Sequence, residues 1–404
     1  MKISKLSNHF KGVAFKKLSN VEVQPAVSNQ HEFNGVQSLK ALFGTEKRTF
    51  DARFLYLGDD EEDTLAEAGF VTWYDSREHT PDRSEYRCYY SSTDIITMAR
   101  EGDLCVIGLT QADSVIVVIA LAGSTGESQL QWLFNTSVTA EPGFKVKPVE
   151  KNDDKSMGYI ERTILSQIGI DVPVADDTML EKMLLEFNKG FPSTRAFSAF
   201  AQATSAKDAD PKYPDDALII WMDHEEVLFR TLERYMVGIK LKDRFEDVDS
   251  FISYSLSVQN RRKSRAGYAL ENHFERILIE NNVSYTRGAE TENKARPDFI
   301  FPGGAQYRDD QFPVKNLTML GVKSTCKDRW RQVLAEALRI KDKHLLTLEP
   351  GISINQTNEM TANSLQLVIP KGIHETYQKS QQNHIISVTD FLNMLKERQA
   401  DSIC

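Results

Sequence analysis

Pro297-Asp298-Phe299-Ile300-Phe301, then Leu320-Gly321-Val322-Lys323-Ser324-Thr325-Cys326-Lys327-Asp328-Arg329-Trp330-Arg331, then Glu336: from this stretch the rest of the 404-residue chain is read. The apolar triplet after Asp298 and the run Thr318 to Lys323 predict two short strands, and a helix is predicted over Arg331 to Ile340, carrying Glu336. Alternation along the second strand puts Met319, Gly321 and Lys323 on one face. An acid thus opens one strand, a lysine closes the next, and a second acid returns on a helix. Hydrolysing a phosphodiester requires an activated water and a stabilised leaving oxygen, and a hard divalent cation held by carboxylates does both. Mg2+ needs only one or two protein carboxylates, so Asp298 and Glu336 suffice as candidate metal ligands. Lys323 can orient the attacking water and offset charge on the transition state. A Pro-Asp followed at a distance by Val-Lys is by itself a weak signal; its neighbours strengthen it.

Upstream, Leu270, Phe274, Ile277 and Leu278 mark the buried stripe of a helix over Tyr268 to Glu280, with Glu271 beside that stripe, as either a rim charge or a pocket residue. Just ahead of it, Asn260 to Gly267 sets Arg261, Arg262, Lys263 and Arg265 within five residues, a cluster that reads either as solvated surface or as a phosphate-holding segment. Arg331 is a further candidate for the DNA backbone. Downstream of Lys323, Lys327-Asp328-Arg329 alternates cation, anion and cation. Guanine offers two major-groove acceptors that suit Lys or Arg, and cytosine an amino donor that suits Asp, so this triplet could read adjacent G·C pairs. A salt-bridged helix start, with Asp328 near the positive end, reads equally well. Two further helices, over Ala217 to Leu241 and from Val248 through Leu256, read as packing elements.

The N-terminal half is strand-rich, at Phe54 to Leu57, Phe70 to Tyr74, Tyr86 to Tyr90, Leu104 to Leu109 and Val115 to Leu121, which favours a β barrel or sandwich. Asp94 to Asp103 suits a short helix closed by Gly102. Asp75 to Arg87 is a charged connection, either a solvated hairpin or a DNA-contacting loop that uses Arg77, Arg83 and Arg87. Polar stretches after residue 140 and the helix from Met179 to Asn188 place a boundary near residue 175, giving domains 1–174 and 175–404. The net charge of −9 gives no overall attraction to nucleic acid, so binding must rest on local cationic clusters. Cys88, Cys105, Cys326 and Cys404 are widely spaced, which suggests neither a disulfide framework nor a zinc site. With no apolar run of membrane-spanning length and no signal-like N-terminus, a soluble cytoplasmic protein is expected, without membrane partners.

At Asn260 to Gly267, Pro297-Asp298-Phe299, Val322-Lys323 and Thr325 to Gln332 the chain resembles the catalytic domain of the EcoRII/PspGI type II restriction endonucleases, a branch of the PD-(D/E)xK nuclease fold. The resemblance covers roughly the C-terminal half. It implies a multidomain α+β protein whose C-terminal α/β domain is built on a central mixed sheet flanked by helices. It further implies that Asp298 and Lys323 are the core catalytic pair, with Glu336 and Glu271 as additional acids and Lys327, Asp328 and Arg329 as base readers. In that nuclease class an acid commonly stands two residues before the lysine; here the position is Gly321, so Glu336 must replace it. Relatives cut an interrupted CC/GG palindrome such as CCWGG, use Mg2+, act as homodimers through the catalytic domain, and accompany a DNA methyltransferase. Helices between Ala217 and Leu256 are then dimer surface, and Trp221 and Phe229 lie where a flipped base would need a stacking partner. The N-terminal half resembles, over Trp73 to Arg87, a β-rich pseudobarrel-like DNA-binding and regulatory domain. Two other readings remain: a modification-dependent nuclease, and a catalytically silent DNA-binding regulator on the same fold.

Overall fold

In a computed structural model, the described residues are 5–23, 31–34, 36–59, 64–80, 83–138, 143–149, 157–170, 172, 177–188, 190–327 and 329–401. Asp328, Cys404, the charged run 150–155 and the expected boundary at 175 lie outside them. The chain forms two compact units, residues 2–172 with 351–355, and residues 173–350 with 356–404.

The first unit is one eight-stranded sheet. Its strands are β1 (Phe10–Lys17), β2 (Glu32–Phe33), β3 (Arg48–Leu57), β4 (Leu65–Asp75), β5 (Tyr86–Tyr90), β6 (Leu104–Thr110), β7 (Val115–Ala120) and β8 (Lys145–Pro148), in the order β2-β5-β4-β3-β7-β6-β1-β8. β3 and β7 run parallel and the other neighbours antiparallel. Because side chains alternate across a strand, the sheet separates two apolar layers. Phe54, Tyr56, Trp73, Cys88 and Ile107 enter one, together with Leu39, Phe43 and Ile95. Leu55, Leu57, Val106 and Val118 enter the other, against Leu130 of the helix Thr125–Leu133 and Leu165 of the helix Tyr159–Gln167. Trp73 is fully buried, stacks on Tyr86 at 4.9 Å, and satisfies its indole N–H on the Gly44 carbonyl at 3.0 Å. Strands β1 and β8 fall in polar sequence that gave no strand signal; β1 is recruited by pairing with β6 and buries Phe10, Val13 and Phe15. The helix at Asp94 ends at Met98, before Gly102.

The second unit carries a six-stranded mixed sheet: β9 (Thr286–Arg287), β10 (Phe299–Phe301), β11 (Thr318–Val322), β12 (Lys343–Leu346), β13 (Leu365–Val368) and β14 (Ile385–Ile386). The order is β14-β13-β12-β11-β10-β9, parallel from β11 to β14 and antiparallel from β11 to β9. Phe299 and Phe301 face Phe274 and Phe391, so one side of the sheet is covered by the helices Val248–Glu280 and Val388–Ala400. The opposite side carries Gly321, against Val333 of the short helix Trp330–Leu334.

Two expected helix boundaries are corrected. Val248 through Glu280 is one continuous 33-residue helix, so Asn260 to Gly267 lies within it and not ahead of it. Its basic side chains are good helix formers, and acids on the neighbouring helix Pro214–Lys242 offset their charge. The helix expected over Arg331 to Ile340 stops at Leu334, leaving Glu336 in the turn that follows.

Candidate active site

Asp298 ends the approach to β10, and Lys323 is the first residue after β11. The antiparallel register sets Phe299 opposite Leu320, which brings the two chain positions to the same end of the sheet. One carboxylate oxygen, Oδ2 of Asp298, accepts from the Val322 backbone N–H at 2.6 Å and from the Lys323 ammonium at 3.1 Å. Both side chains are mostly buried, at 20% and 16% exposure, so the pair keeps a solvent-facing edge without being a surface ion pair. The Lys323 N–H continues the parallel ladder to the Leu346 carbonyl at 3.0 Å, which fixes the backbone beneath the ammonium.

Glu336 reaches this pair from the turn after Leu334. A methyl group built on Gly321 would stand 2.8 Å from one Val333 methyl and 3.1 Å from the other. The glycine is therefore what lets the short helix sit directly on β11, and that close approach carries Glu336 to the site. Oε2 of Glu336 is buried without a hydrogen-bond partner. Burial pushes this carboxyl above the ordinary carboxylate range; Lys323 opposes the rise, Asp298 adds to it, and Lys343 opposes it. A desolvated carboxylate oxygen with nothing to accept from, beside a second carboxylate, is the donor chemistry of a hard-cation site. Among the described residues no group of three or more His, Cys, Asp and Glu side chains gathers as a metal cluster. The donor set is a pair, which suits a cation that keeps water and substrate oxygens in its other positions.

Glu271 comes in from the helix Val248–Glu280 and is claimed by Arg287, which donates to its Oε2 through Nη2 at 2.6 Å and Nε at 3.2 Å. Arg287 also holds Glu275 at 2.9 Å and Asn272 at 2.9 Å. Burial raises the Glu271 carboxyl, the Asp298 charge adds to that, and Arg287 and Lys323 counter it. Arg287, on a strand of only two residues, gave no sequence signal; its role arises from pairing with β10.

The basic cluster is largely committed to protein partners. Arg265 is buried and paired with Glu225 and Glu226. Arg262 donates to Glu233 at 2.6 Å, and Arg261 lies over the Phe191 ring at 4.3 Å. Breaking a buried ion pair costs roughly 3–5 kcal/mol, so Arg265 is a poor phosphate ligand. Lys263 is exposed on the same helix. Arg331 is exposed and pairs with Glu359 at 3.0 Å. Beyond Lys323 the loop is anchored by Cys326, buried and donating its N–H to Glu349, and Lys327 adopts a left-handed backbone with φ 31°. Lys327 is half-buried and Arg329 exposed. Trp221 and Phe229 are core side chains, packed on His273 and on Phe191 with Phe197 respectively, which removes both as stacking partners for a base. In the first unit Arg77 pairs with Glu85 at 2.7 Å, Arg87 bridges Glu32 at 2.8 Å and Glu85 at 3.0 Å, and Arg83 is exposed.

The raised Glu336 carboxyl has a measurable consequence. A carboxyl with a folded-state pKa above its unfolded value stabilises the metal-free fold at low pH, and that contribution is lost as pH rises through the raised pKa. A cation takes the ionised form, so its affinity moves the opposite way. Metal titrations across pH are expected to show binding weakening on acidification with a midpoint above the ordinary glutamate value of 4.5; a midpoint at or below that value counts against Glu336 as ligand.

Residues 229–392 match the family described as EcoRII C terminal. The chain is 39% identical over 212 residues to the type II restriction enzyme EcoRII of Escherichia coli, covering 52% of each chain. It is 23% identical over 156 residues to the type II restriction enzyme SsoII of Shigella sonnei, covering 36% of this chain and 50% of that one. The chain thus spans about half the length of the curated relatives it matches. Among solved structures, the restriction endonuclease PspGI–substrate DNA complex aligns with TM-score 0.44 at 15% identity, over 52% of this chain and 94% of that one. Metal-depleted Ecl18kI in complex with uncleaved, modified DNA aligns with TM-score 0.43 at 18% identity, over 55% and 83%. The resemblance read at Asn260 to Gln332 therefore falls inside a matched EcoRII C-terminal segment.

Proposed function

We propose that this chain, with its EcoRII C-terminal segment, is a type II site-specific deoxyribonuclease that hydrolyses double-stranded DNA at an interrupted CC/GG palindrome. The observation that carries the reading is the meeting of the Asp298–Lys323 ion pair with the buried, unpartnered oxygen of Glu336, all within the matched segment. Asp298 and Glu336 would hold Mg2+, which when bound supplies an activated water and stabilises the leaving oxygen. Lys323 orients that water and offsets charge on the phosphate. Glu271, set by Arg287, keeps a further negative charge near Asp298.

Lys327, Asp328 and Arg329 are assigned to base reading, a role supported by their start four residues after Lys323 and by the fixed Cys326 anchor. Lys263 and Arg331 are the exposed cations of the proposed backbone set. Arg261, Arg262 and Arg265 act there chiefly by bracing the long helices. A palindrome calls for a two-fold dimer with one site per strand. Ile239, Leu241, Val248, Phe251, Ile252 and Leu256 are exposed around the turn between the two long helices, an apolar surface that supports homodimerisation there. The first unit is assigned to DNA binding and regulation of cleavage, with Arg77 and Arg83 on the β4–β5 connection and Arg87 at the start of β5. A DNA methyltransferase is the partner that would protect host sites.

The test is to sequence the ends of fragments that the purified protein makes from unmodified DNA in Mg2+. Expected are single-sequence ends flanking CC and GG on opposite sides of a central pair. Cutting of modified DNA alone would move the assignment to a modification-dependent nuclease, and absence of cutting to a silent DNA-binding regulator.

A further inference from the structure

We propose that Lys343 is a positioning residue that sets the carboxylate of Glu336 for the divalent cation, an inference that rests on the nuclease reading above. Lys343 opens β12 and is buried, at 6% exposure. Its ammonium donates to the carbonyls of Glu336, of Ala337 at 3.2 Å and of Ile340 at 3.0 Å. An ammonium has three protons, so all of its donors are spent on one five-residue turn. These carbonyls belong to the segment where a helix was expected to continue. The ammonium takes them, Ala337 turns into the left-handed region at φ 48°, and the helix ends at Leu334, with Glu336 in the turn and close enough to Asp298 and Lys323 to feel both charges.

The turn is held by a second set of partners as well. Glu292 accepts from the Leu338 N–H at 3.1 Å and from the Tyr307 hydroxyl at 2.6 Å, and the Arg339 N–H donates to that hydroxyl at 3.3 Å. Residues 336 to 340 are thus clamped between one buried cation and one anchored carboxylate. Outer partners that fix a metal ligand typically change metal affinity or activity 10- to 100-fold when removed, and Lys343 has the geometry of such a partner toward Glu336. Its ammonium contacts are to backbone carbonyls of the turn, so the role assigned to it is positioning.

The experiment compares wild type with Lys343→Met and Lys343→Gln as full chains, by calorimetric titration of Mn2+ alone and by cleavage rate against Mg2+ concentration. Lys343→Met is expected to raise the Mn2+ dissociation constant and the half-saturating Mg2+ concentration about 10- to 100-fold, with most of the maximal rate recovered at saturating metal. Lys343→Gln keeps two amide donors and should fall between. A folded Lys343→Met that titrates like wild type overturns the inference. So does a loss confined to the maximal rate, or the failure of both variants to fold, which would make Lys343 a stability residue only. A wild type that neither binds Mn2+ nor cuts DNA defeats the nuclease reading instead, so the two failures are told apart.

Discussion

Lys323→Ala is expected to bind DNA with near wild-type affinity and to cut it at least ~10²–10³-fold more slowly, the scale on which removal of one preorganised charge stabiliser acts. The backbone around the substitution should not move. The Lys323 N–H stays bonded to the Leu346 carbonyl, and Asp298 keeps the Val322 N–H at 2.6 Å. What is lost is the cation 3.1 Å from Asp298. Two effects then add. No ammonium remains to orient the water or offset transition-state charge, and Glu336, whose burial Lys323 partly offsets, rises further above the carboxylate range. The variant should therefore also need more metal at a given pH. Single-turnover cleavage rates and metal-free gel-shift affinities measured side by side check this; a variant that cuts at the wild-type rate removes Lys323 from the chemistry.

Glu336→Ala should abolish metal-dependent cleavage, and adding Gly321→Glu should not restore it. The second half of that expectation separates this site from one with the acid on the strand. A side chain at 321 meets Val333 at 2.8 Å from the first added carbon, in a fully packed place between β11 and the helix Trp330–Leu334. Overpacking of this kind costs ~1–3 kcal/mol before any carboxylate is desolvated. The double variant is expected to unfold at lower denaturant than Glu336→Ala and to remain inactive. Recovery of cleavage, or unchanged stability, would show that the strand position is open to an acid and that the glycine has no part in siting Glu336.

Residue types and order put forward Asp298, Lys323 and Glu336 as candidates, a weak signal by spacing alone that the neighbouring residues and the family resemblance strengthened. The five strands read between residues 54 and 121 were legible, since a buried strand must present apolar side chains at close intervals. β1 and β8 were not, because mixed Lys and apolar residues become strands only through pairing, β1 with β6 and β8 with β1. The basic run at Asn260 to Gly267 misled as to position. Nothing local to it says that Glu225, Glu226 and Glu233 stand on the preceding helix, and it is those acids that engage Arg262 and Arg265, while Arg261 lies over the Phe191 ring.

The sequence by itself therefore determined which side chains are on offer for the proposed chemistry. A carboxylate, a lysine and a second carboxylate near a cation-rich loop are properties of composition and order, and they survive any packing. Tertiary structure alone decided how the second carboxylate arrives. Helix propensity is a local quantity of at most about 0.7 kcal/mol per ordinary residue, and it favours continuing from Arg331 through Ile340. A buried ammonium from β12 outweighs it by taking the carbonyls of Glu336, Ala337 and Ile340, and a glycine on β11 leaves room for the shortened helix. Those partners lie up to fifteen residues away from Glu336 in sequence, and only the folded sheet makes them neighbours.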